Sequence, residues 1–296
     1  HYTLAFAAKS YRFFLGQMVG KLGMRTLTLG SDAAMGANRA GDVKAIENLA
    51  LATGVFQLEV VDDRGPGETR VPANAQPVMP TGHGEPTDPL EGASKAERRA
   101  WSKKNQAKPV RVWSSTNVRY LLGQGRIKDA DAILGHPHAV EGIVVHGEER
   151  GRTIGFPTAN LSDNVAGYLP VDGVYAGWLV DLGSKTAESD HAGAASDGIS
   201  QQFDSSSVDA RLADHSPYRW PAAISIGTKP TFNEATGMND RVVEAYAITD
   251  DWLDLYDHQV RVEFTGFLRP QIKFDSAQDL IDELKRNVEE TKRITA

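Results

Sequence analysis

Thr158 and Asn160 lie two positions apart, so on an extended chain a hydroxyl and an amide oxygen share one face. They close a stretch in which Gly147, Gly151 and Gly155 are spaced by four, with Arg150 and Arg152 between them, and which ends Gly155-Phe156-Pro157-Thr158-Ala159-Asn160. Glycines let a backbone turn sharply and approach a ligand. Successive free N–H groups in such a loop form a concavity that suits phosphate, and Pro157 stiffens the chain just before the two oxygens. Magnesium takes few protein oxygens beside phosphates and waters, so the set suits a Mg²⁺–nucleotide. Spaced glycines in a hairpin and a Thr-x-Asn turn are the plain alternative, and the loop is neither a Walker A sequence nor a dinucleotide fingerprint. Glu244, in Arg241-Val242-Val243-Glu244-Ala245-Tyr246, is a candidate proton acceptor. On a strand it shares a face with Val242 and Tyr246. A carboxylate held there is costly unless paired or functional; the plain alternative is an edge-strand glutamate.

Two further groups sit at element ends. Ser114-Ser115-Thr116-Asn117-Val118-Arg119 follows a short β-like run. Hydroxyls there cap a helix, and a helix N-terminus with an arginine one turn in also suits an anion. Gly30-Ser31-Asp32 ends another β-like run, where ligands of parallel sheets sit, although a plain turn explains it equally.

The elements that must position these residues follow from pattern. Ser10 caps a helix over 11–22 with Gly23 as its stop, and Asp42 caps one through Ala52, with Ile46, Leu49 and Ala50 on its apolar face and Gly54 closing it. With strands at 25–29 and 55–61 this predicts a parallel α/β unit. Residues 62–109 are rich in Pro, Gly, Glu, Lys and Ser and poor in large apolar residues, which predicts a flexible insertion with a transient basic helix over 95–104. His83, in Gly82-His83-Gly84, reads as a solvated loop residue. From Ala139 onward, strands at 139–146, 173–182, 220–227, 241–248 and 258–266 predict a small barrel or sandwich. A second polar insertion spans 183–217, with His191 and His215 unengaged. Asp275-Ser276 opens a terminal helix whose apolar stripe is Leu280, Ile281, Leu284 and Val288.

The chain of 296 residues allows two domains. A net charge of −7 argues against non-specific nucleic-acid binding. The lack of cysteine excludes disulfides, thiolate nucleophiles and Cys-ligated zinc. No apolar run approaches the ~20 residues of a membrane span, and His1-Tyr2-Thr3 has no signal pattern, so a cytoplasmic enzyme is expected. The start without Met suggests a fragment or processed product.

The literal strings add more than the spacing. Gly151-Arg152, Gly155 to Asn160, Leu169-Pro170, Gly173-Val174-Tyr175, Gly227 to Phe232, Glu244, Leu255-Tyr256 and Arg269 resemble, in order, the riboflavin kinase module. Ser114-Ser115-Thr116 and Arg119 resemble the phosphate-contacting segment of the FMN adenylyltransferase module that precedes it in bacterial bifunctional riboflavin kinase/FAD synthetases. The resemblance implies a partial Rossmann-like α/β nucleotidyltransferase domain at 1–134, then a six-stranded antiparallel barrel with a C-terminal helix at 135–296. It implies ATP-dependent phosphorylation of riboflavin to FMN, with Mg²⁺ and ATP as co-substrate. Thr158 and Asn160 would hold the metal. Gly147, Gly151, Arg152, Gly155, Phe156, Pro157, Ser115, Thr116 and Arg119 would join them on nucleotide, Glu244 would be the base, and Arg269 and Asp32 would serve flavin. Lys273 reads as a solvated charge. Tyr175 and Phe232 could pack on a flavin ring, although strand aromatics are more often core.

The front departs from the family. Its Gly-x-Phe-Asp-Gly-x-His-x-Gly-His element occurs nowhere in this chain, and its Gly-x-Asn-Phe-x-Phe-Gly segment stands as Gly30-Ser31-Asp32-Ala33-Ala34-Met35-Gly36. FMN adenylylation is therefore doubtful for this chain. The alternative class is a flavin- or nucleotide-binding protein without catalysis; the presence of Thr158, Asn160 and Glu244 together speaks for the enzyme. Small-molecule partners are expected, with no nucleic acid and no membrane.

Overall fold

A computed structural model describes residues 3–62, 64–147, 155–184, 207–228 and 241–296. The chain divides into two compact units, His1–Pro66 and Gly67–Ala296.

In the first unit a single helical turn, α1 (Leu4–Ala7), precedes α2 (Tyr11–Leu22). Ser10 caps α2 through Phe13 N, and Gly23 ends it in the left-handed conformation that a Cβ disfavours. Strands β1 (Thr26–Gly30) and β4 (Gln57–Val61) pair in parallel, Thr26 opposite Gln57. Between them run the short pair β2 (Ala34–Met35) and β3 (Gly41–Asp42), and α3 (Val43–Thr53), capped by Asp42 and closed by Gly54. Leu15, Ile46, Ala50 and Phe56 form its core, so the predicted strand–helix–strand pattern is present.

The second unit begins with β5 (Glu68–Val71), which pairs antiparallel with β6 (Lys108–Arg111). Between them, α4 (Lys95–Lys104) carries a capping box, Ser94 and Glu97 each accepting from the other's backbone N–H. Then come α5 (Ser115–Leu122) and α6 (Ile127–Leu134). Val118, Leu121, Leu122, Ile127 and Ala130 from these helices belong to the same buried cluster as the barrel interior.

The barrel is closed and six-stranded. Its strands are β7 (His138–Val145), β8 (Ala159–Leu161), β9 (Gly173–Ser184), β10 (Arg219–Thr228), β11 (Arg241–Ala247) and β12 (His258–Arg269), in the spatial order β10-β11-β8-β7-β12-β9. All its pairings are antiparallel. Closure leaves no edge strand, although three-residue β8 pairs with only two residues of β7 and two of β11. Tyr175 is fully buried, set edge-to-face against Phe264 and Phe267, and its hydroxyl donates to the Val171 carbonyl. It is a core residue. Gly177 lies where β9 passes β12 so closely that a Cβ would meet the Glu263 carbonyl.

The terminal helix, Ala277–Thr295, packs on β9, β10 and β12. Its apolar stripe flanks the contact. The most buried line is polar: Glu283, Asn287 and Thr291. The reason for Glu283 and Asn287 is Arg269, which is 3% exposed and needs a partner. Its Nε lies 3.1 Å from Glu283 Oε1 and 3.3 Å from Asn287 Oδ1. Of the expected second insertion, 185–206 lies outside the described residues, while the short helix Val208–Leu212 sets Arg211 on Asp181 at 3.1 Å. His191 also lies outside the described residues.

Candidate functional site

β8 is only three residues long, but it positions the site. Asn160 pairs with Val145 of β7 on one side and Glu244 of β11 on the other. Its neighbours Ala159 and Leu161 turn into the barrel core, as do Val243 and Ala245 beside Glu244. Alternation therefore sends Asn160 and Glu244 to the outer face together. Directly opposed side chains carry Cβ atoms roughly 4.5–5.5 Å apart. Ser225 of β10 stands opposite Glu244 on its other side, which makes a row Asn160–Glu244–Ser225 across three strands.

Asn160 is nearly buried, and its Nδ2 donates to Thr158 O at 3.2 Å and Thr158 Oγ1 at 3.3 Å. The amide is thus tied to the hydroxyl two residues before it, leaving Oδ1 as its acceptor end. Gly147 packs on this amide: a Cβ there would lie 2.5 Å from Asn160 Cγ and Nδ2. The glycine is required here by close approach, not by its backbone angle.

Two cavities flank the row. The first, about 320 Å³, is lined by Gly147, Gly155, Pro157, Thr158 and Asn160, and on its far wall by Tyr246, Asp250, Asp251, Trp252 and Tyr256. Phe156 packs edge-to-face on Tyr246 at 5.2 Å, and His146 stacks on Tyr256 at 3.8 Å. The second, about 330 Å³, is lined by Glu244, Asp172, Ser225, Val242, Gln271 and Met79, with Gly227 and Thr228. Arg241 braces its wall: Nε donates to Asp172 Oδ1 at 2.7 Å, and the guanidinium also donates to the carbonyls of Leu169 and Pro170. Gln271 Nε2 donates to Ser225 Oγ at 3.0 Å and to the Ile226 carbonyl at 2.9 Å.

The remaining candidates fall elsewhere. Gly151 and Arg152 lie outside the described residues, as does Phe232. Ser115, Thr116 and Arg119 are at the start of α5 and line neither cavity. Ser114 Oγ caps that helix, accepting from Asn117 N, and Arg119 donates to Ser115 Oγ at 3.3 Å. Arg269 is held by the terminal helix, and burial lowers the pKa of its guanidinium, which Glu283 partly offsets. Asp32 belongs to the first compact unit, just past β1, where Arg39 reaches its carbonyl at 3.5 Å. Spacing and alternation did not single out Asp172, Ser225, Gln271, Trp252 or Met79. Only pairing across the barrel and the path of residues 77–85 bring them to the site. The V-V-H-G string at 144–147, which sets His146 and Gly147 at the end of a strand, was the one local signal for that corner.

The class defined by this arrangement is a small closed antiparallel barrel with two cavities beside the Asn160–Glu244 pair, the first of which also reaches the core residues Val144, Leu179 and Ala245. The family model described as Flavokinase, riboflavin kinase, matches residues 134–295. The chain belongs to the riboflavin kinase family. It is 30% identical over 183 residues to the bifunctional riboflavin kinase/FMN adenylyltransferase of Listeria monocytogenes, covering 62% of this chain and 46% of that protein. The Escherichia coli protein of the same name is 34% identical over 181 residues, covering 60% and 43%. The chain thus spans about half the length of the curated relatives it matches. A crystal structure named as a macrolide-efflux protein from Streptococcus pneumoniae covers 98% of this chain and 67% of its own, with a TM-score of 0.57 at 23% identity; that likeness concerns fold alone.

Proposed function

We propose that the chain transfers the γ-phosphoryl group of ATP to the terminal hydroxyl of riboflavin, giving FMN. The observation that carries this reading is the in-register pair Asn160–Glu244, which sets oxygen donors on one cavity and a carboxylate on the next. Phosphoryl transfer asks for positioning and charge neutralisation more than for covalent chemistry. Nucleotide is assigned to the cavity of Thr158 and Asn160, and the acceptor alcohol to that of Glu244.

The donor set fits a hard divalent cation: Thr158 Oγ1 and Asn160 Oδ1 are neutral oxygens, and the amide is oriented by its own hydrogen bonds to Thr158. Among the described residues no cluster of three His, Asp or Glu offers a competing site. When bound with the nucleotide, Mg²⁺ would neutralise charge on the transferring phosphoryl group. Gly147, without a Cβ, leaves room for the Asn160 amide. Glu244 accepts the proton of the attacking hydroxyl, while Arg241 neutralises Asp172 and so lowers the cost of a second carboxylate in the same cavity. Arg269 acts through position, holding the terminal helix to the barrel. Incubation with riboflavin and MgATP, followed by chromatography for FMN, tests the assignment: FMN should appear and require both substrates, and its absence would sink the reading.

On this reading residues 1–134 form an adenylyltransferase-like part and residues 135–296 a kinase part.

A further inference from the structure

Met79 lies outside the residues matched by the kinase family model, yet it lines the cavity of Glu244. It sits on a segment tied down on both sides. Val78 N donates to the Gly123 carbonyl at 2.8 Å, just before α6. Pro80 packs on Gly125, where a Cβ would come within 2.9 Å of the proline ring. Gly84 N donates to the Leu268 carbonyl at 2.7 Å. The Glu85 carboxylate accepts from Phe267 N at 3.0 Å and Lys128 N at 2.6 Å, joining β12 to α6. These anchors bracket Met79, and its large apolar side chain is held 43% exposed at the cavity edge.

The cavity has two kinds of wall. Asp172, Ser225, Glu244 and Gln271 are polar and suit hydroxyls, whereas Val242 and Met79 are apolar. An acceptor with a polyol arm and a flat aromatic ring would place the arm on the first wall and the ring on the second. A thioether is soft and polarisable and makes favourable contacts with aromatic rings, often at the ring edge.

We infer that residues 77–85 form a strap that carries Met79 into the acceptor cavity, where it selects for the flat ring of the flavin. Selectivity for riboflavin is thereby set partly from outside the kinase-matched residues. The inference rests on the kinase reading for its ligand, but its test does not depend on turnover. Met79 lines the second cavity and not the first, so its effect should fall on the flavin and spare the nucleotide.

Purified Met79→Ala, Met79→Glu and Met79→Leu proteins would be compared with the natural chain. Riboflavin Kd is read from quenching of flavin fluorescence, KM values for riboflavin and ATP from FMN formation, and folding from thermal melts. Met79→Ala should weaken riboflavin roughly five- to tenfold, as expected for loss of one sulfur–aromatic contact and its buried area. Met79→Glu should weaken it further, and Met79→Leu, which keeps the buried area but not the sulfur, should fall between Met79→Ala and the natural value, with the ATP KM within about twofold throughout. Riboflavin Kd within about twofold in both the Ala and Glu variants, or an equal rise in the ATP KM, would overturn the inference. If the natural chain binds riboflavin without phosphorylating it, the kinase reading falls while the Kd series still decides on Met79. If it binds no riboflavin, the inference falls too.

Discussion

Asn160 and Glu244 stand directly opposite each other across β8 and β11, each on the wall of its own cavity. Two strands distant in sequence thus deliver an oxygen donor and a carboxylate to neighbouring points on one barrel face. In the proposed reaction this pairing would divide the work, with metal and nucleotide on one side and proton removal on the other. Variants on the two strands should accordingly fail in different ways.

Thr158→Ala and Asn160→Ala each remove an oxygen from the proposed Mg²⁺–phosphate contact. FMN formation should fall by about 10²-fold or more, as for loss of one preorganised electrostatic contact. Gly147→Ala should mimic Asn160→Ala, because its Cβ would displace the Asn160 amide. Initial rates at several Mg²⁺ concentrations would check this, and natural turnover by a well-folded Thr158→Ala protein would refute the assignment.

Glu244→Gln keeps size and hydrogen bonding but cannot take a proton. A positioned general base contributes ~10²–10⁴-fold. The expected result is a collapse of kcat with riboflavin Kd near that of the natural chain. If binding is lost instead and kcat at saturation holds, Glu244 is a binding residue.

Much of this was legible in the sequence because it is local. Ser10 with Gly23, and Asp42 with Gly54, marked two helices, and alternation marked the five longer strands. The Thr-x-Asn face and the face of Glu244 also follow from alternation alone. The pairing of Asn160 with Glu244 does not, because register across a barrel depends on closure rather than on either strand. β8 itself is too short to show a period. The helix over 95–104 was legible, and the Ser94–Glu97 capping box that starts it stands in the sequence, but the polar composition around it gave no sign of the β5–β6 pair that frames it. The terminal helix misled in a different way: its apolar residues were visible, but its buried line is polar at Glu283 and Asn287 because Arg269, on another element, needs them.

Asp131 gives the second unit a predictable pH dependence. It sits on α6 and accepts from His138 N at 2.7 Å. Burial, with Glu85 and Glu263 nearby and only partial relief from the His138 N–H and His136, pushes its carboxyl up to about 7. A folded-state value raised above the unfolded one contributes stability that is fully present below the ordinary carboxylate range and is lost as pH rises through the folded value. Thermal melts between about pH 5 and pH 8 should therefore show stability declining. Asp131→Asn keeps an acceptor for His138 N and removes the titration. It should flatten that decline and raise Tm at the alkaline end; a parallel decline in the variant would assign the effect to another group.

This chain should make FMN and stop there. Adenylyl transfer needs the α-phosphate held and its developing charge stabilised. Of the residues at the start of α5 that resemble a phosphate-contacting segment, Ser114 is engaged as the helix cap, and Ser115 and Arg119 are joined to each other. No His-x-Gly-His pair exists anywhere in the sequence to supply the missing charge, and Ala33 and Met35 stand where the family carries aromatics. The proposed kinase site draws on none of these residues, since none of them lines either cavity. With riboflavin and excess MgATP, chromatography over time should show FMN rising to a plateau without FAD. A growing FAD peak that disappears in Arg119→Ala would instead place a working adenylyl-transfer site at the head of α5.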